Sequence, residues 1–369
     1  MRADLRVRDG LRACADLLKR QSGRIVYAGN SVTAQQASYR VPLHERLVDR
    51  FGRAHAAVGA GLGAAGAMGT LFTLPDLVLR HAPQLCFVEC SVGDIGTGPP
   101  EQSIGPVVEG IVRRLEAAGT AVCLLHLYRD DCALGDANPV VRAYERVADH
   151  YGIPSIDIGA TLARAFDRQQ MARTDLLMDG IHTTAAGAGV VADLIAGALD
   201  EIFDAPPRAA TAMPPPLHAD HFEFCSLLRP SPAMVRDPGR CRYGRFRLAY
   251  PYLAIEADNA VVLQTAADSI VGLLLVTGPH CGDLALAADG GVSEYRTWDR
   301  WCEGELLRTV VFREPVRPQA TMTLEVLDRC TRDDRGTPPL DGGRRLLKLA
   351  ALMKHSRHGG AGDDGEQRA

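Results

Sequence analysis

Up to about residue 204, short apolar runs alternate with longer stretches of helical periodicity. Arg24 to Ala28, Leu85 to Val88, Ala121 to Leu125 and Ser155 to Ile158 are nearly unbroken apolar runs, the pattern of strands buried on both faces. Between them, Ile104 to Ala118 and Pro139 to Tyr151 repeat apolar side chains at the helical spacing, and a last helix is predicted over Ala185 to Phe203. Leu5, Leu11, Leu17 and Leu18 predict a short amphipathic helix at the start of the chain. Alternation of this kind predicts a parallel sheet covered by helices on both faces, an α/β fold. Ligands of such sheets bind beyond the carboxyl ends of the strands, so those ends are where chemistry is sought.

From Ala205 to Leu217 the chain reads APPRAATAMPPPL, and its prolines can neither continue a helix nor join a sheet centre. Beyond it, Leu253 to Ala257, Ala260 to Gln264, Ile270 to Thr277, Asp283 to Ala288, Leu307 to Phe312 and Thr321 to Leu327 have strand character. Short strands separated by Gly, Pro and Asp predict an antiparallel β-sandwich, with Arg344 to Met353 as a closing helix. The expected organisation is an α/β domain over 1–204, a linker over 205–217, a smaller sandwich over 218–354 and a disordered, Gly- and charge-rich tail over 355–369.

Composition narrows the function. A formal net charge of −4 argues against nucleic acid as the main partner, since phosphate binding needs a basic surface. No apolar run reaches the ~20 residues of a membrane span, and the charges scattered through the first twenty positions leave no signal-like apolar region. There are ten cysteines, but Cys86, Cys90 and Cys123 lie in or beside strand-like runs and no Cys/His spacing suits zinc. Reduced core thiols in a cytoplasmic protein are the expectation.

Four motifs carry candidate chemistry. The first strand runs into Gly29-Asn30-Ser31-Val32-Thr33. A serine where strand gives way to helix projects its hydroxyl above the sheet, beside free N–H groups suited to an oxyanion; serine also serves there simply as an N-cap. Asp179-Gly180-Ile181-His182 sets a carboxylate three residues from an imidazole, close enough to orient the ring, although an Asp turn before a surface histidine has the same spelling. Gly59 to Gly66 is rich in small residues whose amides suit an anion; it lacks the Lys-Ser/Thr ending of a phosphate loop, and no well-formed strand is expected before it. Glu89-Cys90-Ser91-Val92-Gly93-Asp94 stands at the carboxyl end of the strand that begins at Leu85, although an ordinary Gly-Asp turn has the same spelling.

In order and spacing these motifs resemble the SGNH (GDSL-type) hydrolase superfamily over roughly residues 20 to 205. The resemblance implies a flavodoxin-like α/β/α domain and an acyl-ester hydrolase acting on a carbohydrate or small-molecule ester, without metal or organic cofactor. It implies Ser31 as nucleophile, His182 as base and Asp179 as orienting acid. The Ser31 amide and one from Ala64, with Gly63 beside it, would form the oxyanion hole, while Asn30, Ser91 and Asp94 are expected to line the substrate site. An O-acyltransferase acting on sugar hydroxyls, and a binding protein on a decayed hydrolase scaffold, are the alternatives.

Two positions depart from the family. Its Gly-Asp-Ser reads Gly29-Asn30-Ser31, and the asparagine that completes its oxyanion hole is Gly93. Loss of one such donor typically costs ~10²–10³ in turnover, unless Ser91 or a residue of the second domain replaces it. Other candidates are weaker. His126 reads as a core histidine, His218 and His221 as a chance pair, Trp298 and Trp301 as packing residues or sugar-stacking ones, and Arg113, Arg114 and Glu116 as a solvated helix face.

Overall fold

The computed structural model describes residues 1–98, 101–206, 212–237, 240–246, 250–265, 268–298, 304–331 and 344–356. Two compact units divide the chain, Met1–Glu223 and Phe224–Ala369. In the first, the strands are β1 (Asp4–Arg6), β2 (Arg24–Gly29), β3 (Ala56–Gly61), β4 (Leu85–Glu89), β5 (Ala121–His126) and β6 (Ser155–Asp157). The helices are α1 (Arg12–Arg20), α2 (Ser31–Ala34), α3 (Arg40–Phe51), α4 (Gly66–Leu77) and α5 (Ser91–Thr97), then α6 (Glu101–Ala117), α7 (Pro139–Tyr151), α8 (Ile158–Asp167), α9 (Arg173–Leu176) and α10 (Ala185–Asp204).

The sheet order is β1-β6-β5-β4-β2-β3. β2 to β6 are parallel, and β1 closes one edge antiparallel. On one face Ile25, Tyr27, Phe87 and Leu125 pack in a single buried cluster with Leu43 and Leu47 of α3 and Ile195 and Leu199 of α10. Their alternate neighbours Val26, Ala28, Cys86, Val88 and Leu124 are buried as well, on the side where α4 touches β2 and α6 touches β5. Each large aliphatic side chain so buried contributes about 1.5–3 kcal/mol, and burial on both faces is why these strands read as continuous apolar runs. β2 lies between β3 and β4, so the chain leaves it in opposite directions. That divergence opens a crevice beyond its carboxyl end, where Ser31 begins α2.

Two expectations for this unit fail. Leu5 lies in β1, and the helix begins only at Arg12. The Gly-rich run is preceded by a strand after all, because Gly59 to Gly61 are themselves part of β3. Small side chains weaken the apolar signal of β3, which pairs with β2 alone.

The second unit contains β7 (Cys225–Leu228), β8 (Val235–Asp237), β9 (Cys241–Phe246), β10 (Tyr250–Glu256), β11 (Asn259–Gln264) and β12 (Ser269–Thr277). They are followed by β13 (Leu284–Ala288), β14 (Gly291–Tyr295), β15 (Leu306–Val316), β16 (Thr321–Val326) and β17 (Leu346–His355). One sheet runs β15-β12-β17-β10-β9 with β7 on β17, and the other β14-β13-β16-β11-β8. The strands within these two sheets pair antiparallel among the described residues. Leu253, Leu273, Leu275 and Leu349 of the first sheet share one buried cluster with Leu263, Leu286, Met322 and Leu324 of the second, the core of a sandwich. The expected closing helix at Arg344 to Met353 is instead β17, a central strand. Its Leu, Ala and Met residues favour helix in isolation, but pairing on both sides overrides that preference.

The division between the units falls after the proline stretch because Pro214 to Glu223 is fastened to α6 and α7. Glu109, fully buried on α6, accepts hydrogen bonds from Leu217 N (2.5 Å), His218 N (2.9 Å), His218 Nδ1 (2.7 Å) and Tyr151 Oη (2.5 Å). Arg113 donates to Glu223 Oε2 and to the Pro214 carbonyl. It is therefore a largely buried anchor, not part of a solvated face. Burial works against ionisation of Glu109, yet its four donors hold the carboxyl below its usual value of 4.5. The stabilisation is present above that value and is lost as pH falls through the lowered one. A chain ended at Ala205 loses the strap over Glu109 and three of those four bonds. We expect it to be less stable than residues 1–223 by about 3–5 kcal/mol at neutral pH. Denaturant titration should show the difference, and its shrinkage in acid.

Candidate active site

β2 ends at Gly29, Asn30 is the N-cap, and Ser31 is the first residue of α2, where a helix amide lacks an intrahelical acceptor. The Ser31 hydroxyl lies 2.8 Å from His182 Nε2. His182 Nδ1 lies 2.8 Å from Asp179 Oδ2, and Asp179 Oδ1 accepts from the Ile181 and His182 amides at 2.8 and 2.6 Å. These three donors hold the Asp179 carboxyl below its ordinary value despite partial burial. An ionised Asp179 fixes the tautomer with the proton on Nδ1 and the Nε2 lone pair toward Ser31.

The histidine turn is built locally. Leu177 and Thr183 form an antiparallel bridge, the Met178 amide donates to the His182 carbonyl, and Thr184 caps α10 by accepting from the Gly187 amide. Gln35, just past α2, donates from Nε2 to Thr183 Oγ1 at 2.7 Å, tying the serine helix to the residue after His182.

Opposite lies the loop Leu62 to Ala65. Its Leu62 amide donates to the Gly29 carbonyl, and the Gly66 amide donates to Asn30 Oδ1 at 2.8 Å. Among the described residues the Gly63 and Ala64 amides have no acceptor. Ala64 has φ +53°, a left-handed conformation that costs a non-glycine residue of order 1 kcal/mol. The expected donors therefore sit on a strained turn beside Ser31.

Three expected contacts are different. Asn30, 1% exposed, does not line the site: its amide donates to the Glu89 and Cys90 carbonyls while Oδ1 holds Gly66. Asp94 is equally internal, accepting from the Ala67 amide (2.9 Å) and Tyr144 Oη (2.5 Å). Ser91 cannot supply an oxyanion donor, because it is buried and its hydroxyl meets His126 Nδ1 at 3.1 Å. His126 continues to Glu145 at 2.8 Å, as a satisfied core histidine. His218 belongs to the strap on Glu109, Trp298 is half-buried, and Trp301 lies outside the described residues.

Gly93 has a steric reason. A Cβ there would come within 2.5 Å of Asn30 Cγ and Oδ1, so the space behind this position is already filled. Behind Asn30 lies Glu89, fully buried; its Oε2 accepts from Thr33 Oγ1 (2.9 Å) and the main-chain N–H of Asn30 (3.2 Å). Burial pushes its carboxyl up to about 8 against those two bonds, with Asp94 adding to the rise. Gln35 and Tyr144 escaped the sequence reading, and Glu89 was part of a motif there without a role of its own. For Tyr144 and Glu145 a signal existed: polar groups at core-facing positions of a strongly amphipathic helix.

Residues 27–190 match the family of GDSL-like lipases and acylhydrolases. Over both units the fold is similar to that of a two-domain esterase active on acetylated mannans, with a TM-score of 0.77, 16% identity, and 95% of this chain and 99% of that one covered. The same description co-crystallised with mannopentaose gives 0.75, 15%, 95% and 98%. At such identities the likeness is one of fold. No curated protein sequence matches.

The filled space behind Gly93 makes a directional prediction. Gly93→Asn restores the residue type of the family but drives Cβ into Asn30, so it should destabilise by about 1–3 kcal/mol. Thermal unfolding measures this. The loss should combine non-additively with that of Asn30→Ala, since the two side chains compete for one volume.

Proposed function

We propose, from the acylhydrolase family match and the Ser31–His182–Asp179 contacts, that this protein is a serine-dependent esterase. The observation that carries the reading is the 2.8 Å approach of Ser31 Oγ to an imidazole whose far nitrogen is held by a carboxylate. Ser31 Oγ attacks the ester carbonyl as its proton passes to His182 Nε2. Asp179 stabilises the imidazolium. The oxyanion is received by the amides of Ser31 and of Gly63 or Ala64, with no side-chain donor from position 93. On collapse the alcohol leaves with the proton from His182, and water, activated by the same imidazole, releases the acid. Ser31 is only part-buried, which leaves room for water to reach an acyl group on its Oγ and suits hydrolysis. The two-domain esterase of like fold acts on acetylated mannans, and we extend that class, acetyl esters of carbohydrates, to this chain as its proposed substrate.

A fluorophosphonate probe should label Ser31. Ser31→Ala and His182→Ala should abolish both labelling and release of acetate from a small aryl acetate. Asp179→Asn should slow turnover by up to about 10⁴-fold. Labelling that survives Ser31→Ala would refute the assignment.

A further inference from the structure

β5 delivers the chain to the same sheet edge as Ser31, and the segment after it, Tyr128 to Asp131, stands between two walls of the site. The first wall is α5. A Cβ at Gly96 would lie 2.6 Å from Arg129 Nη1, so the guanidinium rests on this glycine. Gly96 follows Gly93 by three residues, on the same helical face, and Gly93 abuts Asn30, the residue before Ser31. The second wall is the histidine turn. The Asp130 amide donates to the Gly180 carbonyl at 3.1 Å, and a Cβ at Gly180 would overlap the Asp130 carboxylate.

Arg129 is held in a specific pose. Its Nε and Nη2 donate to the two oxygens of Asp131, and its side chain is 11% exposed. A guanidinium carries five N–H donors in a planar fork. Side-on pairing with Asp131 consumes one edge of that fork and leaves the edge formed by Nη1 and the second Nη2 proton. Among the described residues nothing accepts from Nη1. Rigid, mostly desolvated and unsatisfied on one edge, such a group binds a second planar anion through paired hydrogen bonds.

We propose that Arg129 is a specificity residue whose open edge binds a carboxylate on the substrate. The preferred substrates are then acyl esters of acidic sugars, of the uronate class, over their neutral counterparts. This rests on the serine-esterase reading above. Asp131 is a fixed internal competitor: it orients the guanidinium and weakens its pull on a second anion.

The test compares a monoacetylated hexuronate with its hexuronamide, a neutral group of the same shape in place of the carboxylate, and uses phenyl acetate as a neutral reference. The full-length protein should favour the uronate in kcat/KM. Arg129→Met should lower kcat/KM for the uronate by about 10- to 100-fold while leaving the uronamide and phenyl acetate within about twofold. Arg129→Lys, which keeps charge without the fork, should recover part of the loss. Asp131→Asn should raise the preference for the uronate. Free hexuronate should bind Ser31→Ala measurably by calorimetry and bind Ser31→Ala/Arg129→Met more weakly, a readout independent of turnover. Equal losses on all three esters in Arg129→Met, or no uronate preference in a protein that hydrolyses phenyl acetate through Ser31, would overturn the inference and leave the esterase reading standing. Absence of any Ser31-dependent hydrolysis would refute that reading instead, and calorimetry would then decide whether Arg129 binds a carboxylate.

Discussion

A single primary amide, that of Asn30, joins the ends of three strands. It donates to the carbonyls at the end of β4, accepts the amide that opens α4 after β3, and leads directly into Ser31 at the end of β2. Each bond satisfies a main-chain group at the carboxyl edge of a parallel sheet, where the strand ladder no longer supplies partners. Because the amide is fully engaged and buried, the loop Leu62 to Ala65 and the start of α5 are positioned from one atom group. The same occupancy excludes a side chain at Gly93. The absent asparagine at position 93 and the asparagine that stands in place of aspartate at position 30 are thus two aspects of one packing solution, and the proposed oxyanion site is left to main-chain donors alone.

The support extends outward through α7. Tyr144 bonds Asp94, which carries the Ala67 amide, and Glu145 bonds His126, which carries Ser91 at the head of α5. Two consecutive residues of one helix thereby brace the loop after β3 and the helix after β4. Glu145 lies at about 2 despite burial, because His126 and Arg8 bond and charge-pair with it. A buried network of this kind is rigid when every member is satisfied, which a site assembled from loops requires.

Much of this was legible in the sequence, and the failures have physical causes. The turn that carries Ser31 and the Asp179–His182 contact were legible because each is local, a strand-to-helix turn and a three-residue carboxylate–imidazole spacing, while the meeting of Ser31 with His182 spans 151 residues and is supplied by the fold. β2, β4 and β5 were legible because burial on both faces leaves an unbroken apolar run. β3 was not, since its alanines and glycines say little, and β17 was not, since its helix-forming residues are overruled by two neighbouring strands. The roles of Asn30, Ser91 and Asp94 were misread because a polar residue beside a motif looks the same whether it faces the ligand or the protein; only partners 27 to 60 residues away decide. Arg113 and Glu109 were hidden in the same way, since the strap they hold arrives from beyond α10.

Glu89 has a consequence of another kind. With its carboxyl raised to about 8 by burial, it keeps its proton at neutral pH in the folded unit and gives it up on unfolding, where the ordinary carboxylate value is about 4.3. Its contribution to stability is complete below that value and declines as pH rises toward the folded one, the opposite sense to Glu109. Unfolding near pH 7 therefore ejects a proton into the solvent, and the heat absorbed includes the ionisation enthalpy of whatever buffer receives it. The same chain melted in phosphate and in Tris would return two different calorimetric enthalpies, and their difference reports the net protons exchanged on unfolding, to which the group behind Asn30 and Ser31 contributes one released.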